Sequence, residues 1–232
     1  MSARVGTIDV PKSCDVLAKR LRDTILAGGF VAGEALPAER ELVVETGLSR
    51  GSVREALRIL EAEGLVQTRP GRYGGTLVCR PTTDLVARQF GSFAKGRGVS
   101  FKTVIEARES LEPTLAKLAA EHRTEADLQA LERTTRHMAD AIDADAATFL
   151  AANVDWHWAV AVASHNDLLS AFMASITGLI RDSTLEEHVT SQAIREAVLK
   201  AHLRVVDAIR AGDPEAARRR MERHVKAYSA TV

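Results

Sequence analysis

Apolar residues recur along the first 80 positions at two different periods. Cys14, Leu17, Leu21 and Ile25 lie at helical spacing and stop at Gly28–Gly29, which predicts a first helix. A second helix is predicted from Leu36 to Leu42, starting at Pro37, whose fixed φ suits a first turn, and closing before Gly47. Ser49 can cap a third, in which Val53, Ala56, Leu57 and Leu60 share one face. Two short helices joined by a tight turn make a helix-turn-helix. The period then shortens. Leu65–Thr68 and Thr76–Cys79 are β-prone runs separated by the glycine-rich Arg69–Gly75, which predicts a two-stranded wing. Residues 10–80 therefore read as a winged helix-turn-helix domain.

Beyond Pro81 the alanine- and leucine-rich pattern keeps a helical period with almost no strand signal. Helices are expected over 82–95, 100–121, 124–143, 145–164, 166–184, 190–210 and 214–230. The firmest break is Gly212–Asp213–Pro214, where glycine ends one helix, aspartate caps the next and proline fills its first position. The fold class is mainly α: the winged unit, then residues 82–232 as an all-helical bundle of six or seven helices.

Charge changes the picture only locally. Lys and Arg total 31 against 31 Asp and Glu, so the net charge is zero. Residues 50–80, however, carry six arginines against Glu55, Glu61 and Glu63, a net of plus three in the segment with the third helix and wing. No apolar run approaches the roughly 20 residues that span a bilayer, and no signal peptide opens the chain, so a soluble cytoplasmic protein is expected. Cys14 and Cys79 lack metal-ligand spacing and are expected to be buried packing residues.

Arg50, Gly51 and Ser52 occupy the start of the third helix, where free amides favour phosphate and where recognition helices meet base edges. Gly51 would allow close backbone approach. Against this stands the ordinary alternative that arginines on a short amphipathic helix form a solvated face, and that winged helices also dock proteins. Arg58, two turns in, is assigned to the solvated face.

The run Gly29, Gly33, Leu36, Pro37, Glu39, Arg40, Leu42, then Ser49, Arg50, Val53, Arg54, Glu55, Ala56, Leu57, Leu60, Glu63, Gly64, Leu65, Val66 resembles the GntR family of bacterial transcription regulators. The resemblance implies that Arg40, Arg50 and Arg54 contact double-stranded DNA, that Ser52 helps hold its backbone, and that Gly71 approaches the minor groove. The wing departs from the family: Gly71–Gly75 is longer than a Gly–Arg–Gly tip, and Arg72 and Tyr73 receive no role.

His202 lies ten residues before Gly212 and His224 ten after Pro214. At about 1.5 Å rise per residue both stand roughly 15 Å from the turn, side by side on antiparallel helices. Each sits on an apolar stripe: Ile194, Val198, His202, Val205, Ile209 on one helix and Ala217, Met221, His224, Tyr228 on the other. Asn153, His157 and Val160 share a face of a third helix. Three inward histidines can converge on one ion, or each can be a core histidine satisfied by a neighbour. His122, His137, His165 and His188 fall at helix ends or on polar faces and receive no role.

The helical part resembles the ligand-binding domain of the FadR-like branch of the same family, through Asn153–His157, Ala163–Asn166, and His202, Ala208, Ile209, Gly212, Asp213, Ala216 and His224. That resemblance implies a divalent metal, zinc or nickel, held by Asn153, His157, His202 and His224. Asn153 stands where the family pattern has aspartate, and a neutral amide is a poorer ligand. It further implies that Arg108 binds the carboxylate of a small organic acid. The alternative for Arg108 is an intrahelical pair with Glu112, and for Trp156 and Trp158 it is packing. The reading is a homodimeric transcription factor, more readily a repressor than an activator, on a palindromic operator, with DNA affinity set by the effector. The competing readings are a metalloenzyme, which lacks an evident general base, and a metal sensor without organic ligand.

Overall fold

The computed structural model describes residues 11–69, 71, 74–182 and 191–229 of the 232-residue chain. Arg72, Tyr73, His188 and the helix break expected at 183–187 lie outside the described residues, as does the side chain of Tyr228. The chain divides into two units, Met1–Leu85 and Val86–Val232.

In the first unit α1 (Ser13–Leu26) buries Leu17, Ala18, Leu21 and Ile25, the stripe that the spacing predicts. It ends at Gly28, whose φ of +82° a side chain would strain. α2 is Glu39–Thr46 and begins two residues later than expected from Pro37. The reason lies upstream: Leu36 N–H donates to Thr76 O at 2.8 Å, so Leu36 stays extended, as the position before proline prefers. Ala38 then becomes the cap, its N–H donating to the Glu41 carboxylate at 3.0 Å. Gly47, at φ +69°, closes α2 after Thr46 and leads in three residues to α3 (Arg50–Ala62). Ser49 caps α3 by accepting from Ser52 N–H at 3.1 Å. Val53, Ala56, Leu57 and Leu60 enter one core with α1, Leu36, Leu42, Leu65, Val66 and Val78.

The wing is β1 (Val66–Arg69) antiparallel to β2 (Gly75–Val78), in register Val66 to Val78 and Arg69 to Gly75. β2 has a second neighbour that the sequence pattern does not announce. Gly33 N–H donates to Val78 O and Val78 N–H to Glu34 O, both at 2.8 Å. Both edges of β2 are thereby hydrogen-bonded, which anchors the base of the wing. Cys14 and Cys79 are half-buried rather than fully buried: Cys14 packs at the rim of this small core, and Cys79 Sγ–H turns back to Leu77 O at 3.6 Å.

Among the described residues the second unit holds seven helices: α4 (Thr83–Arg97), α5 (Phe101–His122), α6 (Glu125–Asp140), α7 (Ala146–Ala163), α8 (Asp167–Asp182), α9 (Gln192–Ala211) and α10 (Pro214–Ser229). α4 begins just before the boundary between the units. α7 packs on α5, α6 and α8, burying Phe149, Leu150, Val154, Trp156, His157 and Val160 and leaving a narrow strip with Thr148, Ala151, Asp155 and Val162 exposed. The main core gathers Ala116, Leu131, Phe149, Trp156, Ile209 and Met221 from five helices. Ile194, placed by spacing on the inner stripe of α9, is 43 % exposed, while the buried side chain of that first turn is Arg195, which donates to Ile142 O at 2.9 Å.

The α9–α10 turn forms as its residues predict. Gly212 adopts φ +66°, and Asp213 accepts from Ala216 N–H at 2.9 Å. The turn makes α9 and α10 antiparallel neighbours, and α10 also lies along α5. This arrangement brings three helices to one depth.

Candidate nucleic-acid interface and metal centre

The first turn of α3 is held from several sides. Ser52 Oγ lies 3.0 Å from Ser49 Oγ and accepts from Ser13 Oγ–H at 3.1 Å, tying the start of α3 to α1. Arg50 and Gly51 are exposed. A Cβ built on Gly51 would meet only Ser49 Oγ at 3.7 Å, so nothing within the fold demands glycine there. Arg54 pairs with Glu39 of α2 at 3.1 Å, both side chains exposed. Arg40 is 84 % exposed beside Glu41, and Arg58 forms a solvated pair with Glu55 at 3.5 Å. Gly71 has φ +111° in open space. These cations cost little to keep exposed and nothing intramolecular consumes them deeply.

In the second unit the structure brings together His157 of α7, His202 of α9 and His224 of α10. His202 Nε2 stands 2.9 Å from His224 Nε2, which stands 3.4 Å from His157 Nε2. All three donor nitrogens lie within 4.8 Å of one another and all three side chains are buried. Nitrogens bound to one ion at about 2.1 Å are roughly 3.0 Å apart at right angles and about 3.4 Å at the tetrahedral angle. The His202–His224 and His224–His157 separations match that range. Asn153, one turn before His157, has a buried Oδ1 with no hydrogen-bond partner, an acceptor left for something else. The donor set therefore fits a divalent ion of the kind imidazoles prefer.

Electrostatics agree with a ligand role. Burial pushes His202 well below the usual histidine range, helped by His224 and His157. Burial also lowers His224 to about 3, and lowers His157 despite the opposing Glu112. The imidazoles are neutral, as metal binding requires.

Three neighbours were not apparent from sequence. Glu112, buried on α5, places Oε1 2.5 Å from Arg108 Nε and Oε2 2.7 Å from His157 Nδ1. Burial raises the Glu112 carboxyl, yet Arg108 and His157 together override it and hold the group well below the usual carboxylate range. Arg108 is itself buried and its Nη2 lies 3.2 Å from His157 Nε2. The intrahelical pair with Glu112 thus exists, but inside the protein and against a histidine. Trp156 stacks on His202 with centroids 3.6 Å apart and planes 3° off parallel, while its Nε1–H donates to Thr135 Oγ1 at 3.1 Å. Met138 Sδ lies 3.0 Å from His202 Nδ1. The packing reading of Trp156 is correct, and what it packs is a histidine of the cluster. Trp158 is partly buried against Leu115, Ala161 and Met173. Of the histidines given no role, His165 pairs with Asp127 at 2.7 Å and His122 lies exposed near Glu121.

A winged helix-turn-helix followed by a helical unit with a buried histidine cluster defines a DNA-binding regulator that carries its own sensory part. Residues 15–78 match the bacterial regulatory proteins of the gntR family, and residues 103–227 match the FCD domain. The chain belongs to the gntR family, in its FadR-like branch with an FCD domain. It is 32 % identical over 230 residues to the HTH-type transcriptional repressor NanR of Escherichia coli K12, covering 95 % of this chain and 84 % of that one. Against NanR of Citrobacter rodentium it is 30 % identical, covering 95 % and 85 %. The solved Streptococcus agalactiae GntR superposes with a TM-score of 0.72 at 26 % identity, over 94 % of this chain and all of that one. The family is one of regulators and not of enzymes, which sets the metalloenzyme reading aside.

Proposed function

We propose that this protein is a homodimeric transcriptional repressor acting in the bacterial cytoplasm, whose grip on a palindromic operator is set by a small organic acid bound in the helical unit. The exposed, capped start of α3 carries the DNA part of the reading: Arg50 and Gly51 face solvent at the end of a helix where base edges and phosphates are met. Arg40 and Arg54 take positioning contacts to the backbone, Ser52 holds it, and Gly71 approaches the minor groove. Relatives named as repressors support the sign of regulation.

In the helical unit His157, His202 and His224 would hold a divalent ion, zinc or nickel, with Asn153 Oδ1 as a further donor. Such an ion supplies a Lewis-acid anchor for a carboxylate. Arg108 provides the second anchor, because a planar guanidinium matches carboxylate geometry. Residues 82–232 form the sensing and dimerising domain and residues 10–80 the DNA-binding domain. An effector changes DNA affinity only by favouring one arrangement of the two winged heads over another.

Selection from random-sequence duplex DNA at near-physiological salt tests the reading, since electrostatic binding alone fades there. Recovery of a short palindrome is the expected result. Folded dimer that retains no motif would overturn it.

A further inference from the structure

We infer that Glu112 is a positioning residue for the histidine cluster: one buried carboxylate that orients His157 through Nδ1 and holds Arg108 through Nε. The inference rests on the proposed metal site, and its first test does not need the metal.

The geometry leaves His157 few choices. Arg108 Nη2 lies 3.2 Å from His157 Nε2, and a guanidinium only donates, so Nε2 must present its lone pair. In a neutral imidazole the proton is then on Nδ1. That nitrogen is buried, makes no aligned hydrogen bond, and stands 2.7 Å from Glu112 Oε2, itself buried and equally without an aligned partner. The two atoms are each other's only candidates at that distance among the described residues, and a small turn of the ring brings them into line. Glu112 is 2 % exposed, out of reach of bulk solvent. Its other oxygen is taken by Arg108 at 2.5 Å.

The arrangement has two consequences. A carboxylate behind a histidine fixes the tautomer and makes the opposite nitrogen a stronger donor. Here that nitrogen is the Nε2 that faces His224 at 3.4 Å. The site also has a neutral amide at Asn153, so Glu112 is the anion nearest the three imidazoles that the described residues provide. His202 is supported differently, by the Trp156 stack and the Met138 thioether, neither of which brings charge. Glu112 therefore makes His157 the one imidazole of the three with a carboxylate behind it.

The test uses the full-length chain with Glu112→Met, since a glutamine could still offer its carbonyl oxygen. That single change takes from the buried Arg108 the carboxylate 2.5 Å away, so the double variant Arg108→Met/Glu112→Met, which removes both charges, is made beside it. In metal-free protein labelled with nitrogen-15 at histidine, wild type and Arg108→Met, which loses the donor at Nε2 but keeps Glu112, should both show His157 protonated at Nδ1. The double variant should move that proton wholly or partly to Nε2. Nickel titration should then show affinity about 10- to 100-fold weaker in the double variant than in wild type. Removing a cation from beside the site would by itself strengthen nickel binding, so the loss must come from Glu112. If Glu112 serves only to neutralise Arg108, Arg108→Met shifts the proton as far as the double variant does, and the double variant binds nickel at least as well as wild type; that outcome overturns the inference. Wild type that binds no nickel would remove the proposed metal reading while leaving the tautomer measurement to decide the role of Glu112.

Discussion

His202 and His224 meet with their Nε2 atoms 2.9 Å apart although 22 residues separate them, each about ten residues from the turn at Gly212–Pro214. Two neutral imidazoles with Nε2 facing Nε2 can share at most one good hydrogen bond, and His157 crowds the same point. Such a cluster is costly in a dry core unless a cation completes it. Nickel or zinc at about a hundredfold excess over its Kd should therefore stabilise the protein by ~2.7 kcal/mol, with a matching rise in Tm. In His202→Ala or His224→Ala the metal-dependent rise should vanish, and a rise that survives either change would rule out this cluster as the site.

Asn153 presents a buried Oδ1 with no partner one turn before His157. Asn153→Asp is nearly isosteric and puts an anionic oxygen where a neutral one stands. Metal affinity should rise at least about tenfold, ~1.4 kcal/mol. Without metal the same change should destabilise the fold, because it buries a charge. Calorimetric titration together with Tm of the metal-free variant reads both signs; a variant that gains no affinity would place Asn153 outside the donor set.

Acid should weaken the metal-free protein through the three histidines. Each has its pKa lowered in the fold, His224 to about 3, against 6.5 when unfolded. Above about pH 6.5 neither state is protonated and the stability is complete. Below it the unfolded chain takes up protons that the folded chain refuses, so stability falls as pH drops toward the folded values, by up to ~1.4 kcal/mol per unit for each histidine. Asp127, whose pKa is also lowered, contributes in the same direction only at lower pH. Tm should decline steadily from about pH 6.5 to 4.5, and a flat profile in that window would contradict the neutral, buried assignment.

On the DNA side, Arg50 is exposed and Arg54 is held only by a solvated pair with Glu39. Removing either costs the fold at most about 1 kcal/mol. Arg50→Ala should nevertheless weaken binding to the selected operator by about 1–3 kcal/mol and relax its sequence preference. Arg58→Ala, on the solvated face, should change neither measurably. Fluorescence anisotropy on operator and scrambled duplexes separates the cases, and equal effects at Arg50 and Arg58 would return all these arginines to the solvated face.

The His202–His224 contact was legible in the sequence because Gly212–Asp213–Pro214 fixes the register of two regular helices, after which rise per residue does the rest. The third-helix face was legible for a similar reason, since only one face of α3 is apolar. Glu112 was not. An Arg–Glu pair four residues apart reads the same whether solvated or buried, and only α7 and α10 packing on α5 decides which. The second neighbour of β2 was hidden too, because Gly33–Leu36 shows no alternation and pairs through backbone alone. Pro37 misplaced the start of α2 because those backbone bonds hold Leu36 extended. Local patterns thus gave the elements, while the environment of a polar group depended on elements distant in sequence.

The α9–α10 turn can be tested as the device that sets the histidine register. Gly212 has φ +66°, where an L side chain is strained, and a Cβ added there would stand 2.6 Å from Arg123 Nη2 and 3.1 Å from Cζ. Arg123 cannot swing away freely, because its guanidinium donates to Ala120 O at 2.9 Å and to Arg210 O at 3.2 Å. Gly212→Ala must therefore pay backbone strain and also loosen a bond to the last turn of α9, about 1–3 kcal/mol together. Arg123→Ala, which removes the clash but not the strain, should recover part of that loss in the double variant. The same substitution should weaken nickel binding, since a displaced turn shifts His202 against His224 along antiparallel helices. Denaturant unfolding with nickel titration measures both effects. If Gly212→Ala lowers stability but leaves nickel affinity unchanged, the turn is a strain-sensitive closure and the register of the two histidines is set instead by α5, which packs on both helices.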